Sequence, residues 1–259
     1  MRIDIPQHLM LRLAATPVEE QREWLAKCAP EQALLLDAAF EAWHAEGQME
    51  PQRDGWRVWL MLAGRGFGKT RAGAEWVHRL AWSRPVRIAL VAATIAEARA
   101  VMVEGASGIL SVARRQRHKV AWEPSLGRLT WPRGSVAELY SGDNADGLRG
   151  PQHHFAWCDE LAKWRQAEAA WDNLQMGLRA GPRPRALVTT TPRTMGLLKR
   201  IKEDPRTIAT GGRTNDNLNL GQSFIEVMMD TYGGTRLGRQ ELDGELIEDL
   251  QGALWTREL

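Results

Sequence analysis

Cysteine is scarce in this chain of 259 residues: Cys28 and Cys158 are the only two, too few for the disulfide framework of a small secreted fold. Long apolar runs are missing too. Nothing approaches the run of about 18 residues that a membrane-spanning helix needs, and no signal peptide leads the chain, so it reads as cytosolic. No G-x-S-x-G provides a serine nucleophile, no Cys/His cluster has metal-ligand spacing, and no internal repeat appears. The polar loop 141–150, SGDNADGLRG, is no calcium loop, because the first ligand position counted back from Gly147 falls on Gly142. Charge of one sign is not in large excess either, the net being +2.

What is present suits one large α/β domain with appendages: 44% of residues are hydrophobic and 25% charged, enough to bury a substantial core. Tryptophan is abundant, at twelve, and most of these residues sit among apolar neighbours, which favours core packing over base stacking. The charges are unevenly placed. Arg114–Lys119 (RRQRHK) is a basic run, and residues 179–206 hold eight Lys/Arg against Glu203 and Asp204. From Glu241 onward the tail is acidic. Basic patches point to a polyanionic partner such as nucleic acid, although solvated helix faces give such runs as often.

The chain is organised around Trp56–Trp76, WRVWLMLAGRGFGKTRAGAEW. Val58–Ala63 reads as a buried parallel strand; Gly64, Gly66 and Gly68 free the backbone to curl; Lys69 and Thr70 open a helix. Such a curl can aim consecutive N–H groups at a di- or triphosphate while the helix N-terminus adds its dipole. Lys69 can reach the β- and γ-phosphates and the Thr70 hydroxyl can ligate Mg²⁺. The G-x4-G-K-S/T pattern wants glycine where Ala63 stands. A dinucleotide fingerprint starting at Gly64 fails, because it needs glycine at Lys69. With no N-K-x-D segment for guanine, ATP is favoured over GTP.

Taken in order, Thr16-Pro17-Val18-Glu19 is a capping box opening a helix to about Lys27, and Pro30 opens another through Trp43. These form a helical appendage over 1–50. The strand-and-helix core follows over 51–215, with Val86–Ala93 a second strand, Ile95–Val103 a helix, and Val120–Tyr140 a set of shorter, antiparallel additions. Trp164–Leu178 reads as an amphipathic helix, Arg185–Thr191 as a strand and Thr194–Lys202 as a short helix. Gln222–Tyr232 and Thr235–Leu246 are two further helices in a C-terminal subregion over 216–259.

The apolar run His153–Cys158 ends in Asp159-Glu160. Asp159 at a strand end can hold the Mg²⁺ shell opposite Thr70, and Glu160 can orient or deprotonate an attacking water. One carboxylate would suffice for a kinase, so the pair tilts the reading towards hydrolysis; capping of the next helix is the bland alternative. Thr189, Thr190 and Thr191 place hydroxyls where a γ-phosphate could be sensed, though β-branched threonine also suits strands. His153, His154 and Cys158 read as structural.

Jointly, GRGFGKTRAGAEWV, GLRGPQ followed by AWCDELAKW, the TTTP strand end and YGGTRLGRQELDGELIED resemble the large terminase subunit of tailed bacteriophages and related gene transfer agents. The likeness runs from about Gln48 to the C-terminus. It implies a P-loop NTPase of the additional-strand, conserved-glutamate type, hydrolysing ATP with Mg²⁺ to drive double-stranded DNA into a procapsid in the host cytoplasm. It also implies a homo-oligomeric ring, the portal protein and the small terminase subunit as partners. Residue by residue, Gly64, Arg65, Gly66, Phe67, Gly68, Lys69 and Thr70 match the Walker A loop, with Arg65 at its arginine. Asp159 matches Walker B, Glu160 the catalytic glutamate, and Thr189–Thr191 the coupling motif. Gln48 falls where the family keeps an adenine-reading glutamine, with Gln52 close by. Arg149 is expected to act as an arginine finger in a neighbouring subunit, or else to pair with Asp143 or Asp146. Residues 179–206 are the expected DNA-facing surface. Only ten residues follow Asp249, so the family's nuclease is expected to be absent and the chain to be an ATPase-domain fragment.

Overall fold

The computed structural model describes residues 38–217 and 220–247, with six isolated positions between 17 and 29. The helices expected over 16–27 and 30–43 lie mostly outside the described residues, as do Cys28 and the end of the acidic tail; Phe40–Trp43 forms a short helix, α1.

In chain order there follow β1 (Val58–Ala63), α2 (Lys69–Ser83), β2 (Arg87–Ala92) and α3 (Ile95–Glu97), which runs into a π-helical turn, Ala98–Val103. Then come α4 (Ile109–Arg115), β3 (Ala121–Glu123), β4 (Arg128–Thr130), β5 (Val136–Ser141) and β6 (Phe155–Asp159). The remainder is α5 (Ala167–Gly177), β7 (Arg185–Thr190), α6 (Gly196–Glu203), β8 (Thr207–Gly212), α7 (Gln222–Tyr232) and α8 (Arg236–Glu241). Three expected helices are shorter than their patterns: α-geometry stops at Glu97, starts only at Ala167, and in the last helix spans Arg236–Glu241.

The strands form one eight-stranded sheet in the order β3-β4-β5-β2-β6-β7-β1-β8. From β5 to β8 all neighbours are parallel, and β3 and β4 join antiparallel at one edge. The expected antiparallel addition is therefore present, but Val136–Ser141 also closes the parallel part by pairing with β2. An extra strand, β7, separates β1 from β6, so the fold is the α/β type with an additional strand between the phosphate-loop strand and the acidic strand.

Period-2 alternation divides the core into two layers. From β1, Trp59 and Met61 face one cluster with Trp76 of α2, Trp157 of β6 and Ile109 of α4. Val58 and Leu60 face the other, with Cys158, Trp171 and Leu174 of α5 and Leu197 of α6. Trp59, Trp76, Trp131 and Trp157 are among the largest fully buried side chains, as their apolar neighbours predict. Each such ring removes about 150–250 Å² from water, an upper figure of roughly 4–6 kcal/mol at about 25 cal/mol/Å². The site needs this rigidity, since register aligns Met61 of β1 and Asp159 of β6 on either side of Thr189 of β7.

Candidate active site

At the carboxyl end of β1 the chain makes the expected curl. Gly66 (φ 80°) and Gly68 (φ 96°) both adopt left-handed backbone, which a side chain resists, and α2 starts directly after Gly68 with no side-chain cap. No side chain caps its first turn, the arrangement in which a helix N-terminus can receive an anion. Phe67 is fully buried and wedges the loop against β8. Lys69 lies inside the curl, its amino group donating to the carbonyls of Ala63 (2.8 Å) and Gly64 (3.0 Å). Burial pulls that amino group below the ordinary lysine range, while Glu160 and Asp159 push it back up.

Three side chains distant in sequence hold the loop from outside. The Thr214 hydroxyl donates to the Arg65 carbonyl (2.7 Å) and the Asn217 amide to the Gly66 carbonyl (2.7 Å). Gln48, buried, donates to the Phe67 carbonyl and accepts the Ala45 N–H (2.8 Å). Gln52 is exposed and, among the described residues, bonds only the Glu50 carbonyl of its own connector (3.0 Å). Thr214 and Asn217 stand 149 and 151 residues from their partners, so no local pattern signals them.

Asp159 ends β6 and is buried; its Oδ1 accepts the Thr189 hydroxyl (2.7 Å), and its Oδ2 accepts no hydrogen bond among the described residues. Burial pushes its carboxyl up to about 6, against the pull of the Thr189 hydrogen bond. Glu160 follows in a left-handed conformation (φ 48°), held by its own N–H donating to the Thr189 carbonyl (2.6 Å). A non-glycine residue there costs on the order of 1–2 kcal/mol, and such strain collects at functional sites. The Glu160 carboxylate meets the Thr191 hydroxyl at 3.3 Å and the Thr191 N–H at 3.5 Å, with the Lys163 amino group at 3.9 Å. Glu160 also leads into the 3-10 turn Leu161–Lys163, although its side chain makes no capping hydrogen bond there.

The two candidate arginines differ. Arg65 reaches Glu241 at the end of α8 (3.1 Å) and is largely exposed. Arg149 follows the 3-10 turn Ala145–Leu148, is exposed, and its guanidinium makes no hydrogen bond or ion pair among the described residues. Asp143 is held by Arg165 instead, through the Arg165 backbone N–H and Nε, both at 2.7 Å.

In the basic segment 179–206, five of the eight cations make ion pairs, while Arg179, Arg193 and Lys202 are exposed and make none among the described residues. Arg183 pairs with Asp54, Arg185 with Glu50, Arg200 with Glu168 and Asp172, Arg206 with Asp204, and Lys199 with Glu203. His153 and Cys158 are buried, and the His154 Nδ1 accepts the Arg87 N–H (3.0 Å), so all three are structural.

Comparison with known proteins converges on one family. The model for the N-terminal part of the terminase large subunit, T4likevirus-type, matches residues 60–259. A large terminase from a thermophilic bacteriophage has a TM-score of 0.61 at 14% identity, covering 83% of this chain and 53% of that one. For the Thermus phage P74-26 large terminase ATPase domain the values are 0.56 and 20%, covering 75% and 90%. The bacteriophage HK97 large terminase gives 0.57 and 15%, covering 85% and 50%. No curated protein matches. The chain thus spans about half the length of the first and last of these three proteins. With most of its length matched by the family model, the chain belongs to the terminase large subunit family, T4likevirus-type, over the N-terminal region of that subunit.

Proposed function

We propose that the chain binds ATP at residues 64–70, hydrolyses its γ-phosphate bond, and couples this to movement of double-stranded DNA into a procapsid. The observation that carries the reading is Glu160, strained into left-handed backbone at the end of β6 and met by Thr191 just past β7, the strand inserted beside the loop-bearing β1. In this reading the loop N–H groups and Lys69 bind the phosphates, Gln48 or Gln52 reads adenine, and Glu160 takes the proton of the attacking water. Thr191, hydrogen-bonded to Glu160, senses the γ-phosphate. Arg65 neutralises charge in its own subunit and Arg149 in a neighbour's.

Thr70 and Asp159 would hold Mg²⁺; a buried carboxylate with an uncommitted oxygen fits a cation, and no larger His, Cys, Asp or Glu cluster exists among the described residues. Bound there, the ion would act as a Lewis acid on phosphate oxygens. The similar large terminase from a thermophilic bacteriophage has been solved with ADP and with ATP-γ-S, which supports an adenine nucleotide here. Family membership supports packaging over other translocation, with a homo-oligomeric ring, the portal protein and the small terminase subunit as partners. The ATPase core in this reading spans 51–215, between an N-terminal appendage over 1–50 and a C-terminal subregion over 216–259. No helix among the described residues is long and apolar enough to cross a membrane, in keeping with work in the host cytoplasm, docked on the procapsid.

ATP turnover measured with and without linear duplex DNA and empty procapsids tests the reading. Nuclease-protected DNA inside particles supports it. Strand separation without protected DNA would assign the chain to a helicase-like translocase instead.

A further inference from the structure

The basic run that closes α4 and continues beyond it keeps three cations clear of ion pairs among the described residues. The α4 helix ends with the Gln116 N–H on the Val112 carbonyl (3.1 Å) and the His118 N–H on the Ala113 carbonyl (2.8 Å). That closure puts Arg117 in left-handed backbone (φ 56°), a position where glycine is usual and an arginine is strained. Arg114, Arg117 and Lys119 are exposed and make no ion pair among the described residues. The helix C-terminus favours a cation in its last turn, which accounts for Arg114 and Arg115 but not for Arg117 and Lys119 beyond it.

The same turn has an inward side that meets α2. Gln116 donates to Glu75 (2.9 Å), whose other oxygen accepts from Arg71 (2.8 Å), two residues after Lys69. Glu75 and Arg71 are both buried, so this contact reaches the first turn of the phosphate-loop helix. His118 lies flat on Trp82 of α2, with ring centroids 3.5 Å apart and planes 6° apart. Its Nδ1 is 2.9 Å from the His78 Nε2, and the His78 Nδ1 accepts the Trp131 indole N–H (3.1 Å). His78 therefore donates from Nε2 and His118 accepts at Nδ1.

We propose that Arg114, Arg117 and Lys119 form a contact surface for the phosphate backbone of double-stranded DNA, and that Gln116 and His118 are positioning residues linking its occupancy to α2 and the phosphate loop. The proposal rests on the functional reading above, which supplies the polyanion. Exposed cations without ion pairs suit a polymer of evenly spaced phosphates, which requires charge rather than a shaped pocket.

The test uses the whole chain, a short labelled duplex and a salt series, comparing wild type with Arg114→Gln/Arg117→Gln/Lys119→Gln. We expect the variant to lose on the order of tenfold or more in affinity and its log K against log salt slope to shrink by about 2–3, at about 0.9 per phosphate contact. ATP turnover without DNA should stay at the wild-type value. If wild type hydrolyses no ATP, the functional reading fails. If turnover is intact but wild type does not bind the duplex, or the variant keeps affinity and slope, the surface assignment fails. Lost binding to polyglutamate with duplex binding retained points to an acidic protein partner and also overturns it. For the linkage, Gln116→Leu/His118→Phe keeps the ring on Trp82 and removes both hydrogen bonds. It should bind duplex as wild type does, keep its KM for ATP, and lose the stimulation of kcat by DNA. Stimulation at the wild-type ratio, or a wild type that DNA does not stimulate, overturns the linkage.

Discussion

The Thr189 hydroxyl donates to the Asp159 Oδ1 at 2.7 Å and accepts the Trp157 indole N–H at 2.8 Å. One side chain of β7 thereby satisfies two buried groups of β6. Thr189→Val keeps the shape and removes both bonds, leaving an N–H and a carboxylate oxygen unpaired. The expected loss is about 2 kcal/mol or more in urea unfolding, with Thr189→Ser retaining most of it. Equal stability of wild type and the valine variant would show that this hydroxyl does not organise the acidic strand.

Gln48, not Gln52, touches the phosphate loop. Gln48→Ala is expected to weaken ATP binding by about fivefold, the worth of one hydrogen bond near 1 kcal/mol, and Gln52→Ala to leave it unchanged. Calorimetric titration with ATP checks this, and equal effects of the two variants would contradict it.

His153 is buried, its Nε2 has no hydrogen-bond partner among the described residues, and burial pulls its pKa down to about 4. A folded-state value below the unfolded one means that its contribution to stability is whole above about pH 6.5 and is lost as the pH falls towards 4. His153→Phe should match or exceed wild-type stability at neutral pH and exceed it by up to about 3 kcal/mol near pH 4. His78, also pulled down to about 4 by burial, shares the window, so the variant's acid loss shrinks rather than vanishes. Parallel pH profiles for wild type and variant would refute the assignment.

Arg149 is exposed and makes no ion pair among the described residues, which leaves it open for the role in trans proposed above. A finger supplied in trans adds on the order of 10³-fold or more to turnover. Arg149→Ala should bind ATP normally yet lose the hydrolysis stimulated by assembly, and mixing it with Glu160→Gln subunits should restore part. Mixed rings, with entry of both subunits verified, that show no restored activity would rule out action in trans.

Much of the site is legible in sequence because its signals are local. An apolar run, closely spaced glycines and Lys-Thr placed β1 and the loop, and the run ending in Asp159 placed β6. By contrast β8 is hidden, since TIATGG ends in two glycines, which weaken a strand pattern. Those glycines have tertiary causes. A Cβ on Gly211 would collide with the Leu62 carbonyl oxygen, and one on Gly212 with the Phe67 ring. The pairing of Arg183, Arg185 and Arg200 is equally invisible, because Glu50, Asp54, Glu168 and Asp172 lie outside the segment. Arg117 in left-handed backbone gives no sequence signal either, as the position usually takes glycine.

Measuring ATP affinity and turnover in Glu160→Gln beside Lys69→Ala decides whether Glu160 performs the chemical step while Lys69 binds phosphate. The amide of Glu160→Gln cannot take the water's proton, so this variant should bind ATP as wild type does and hydrolyse it at least about a hundredfold more slowly. Lys69→Ala should lose ATP affinity. Turnover near the wild-type rate in Glu160→Gln, or equal losses of affinity in both variants, would contradict the account.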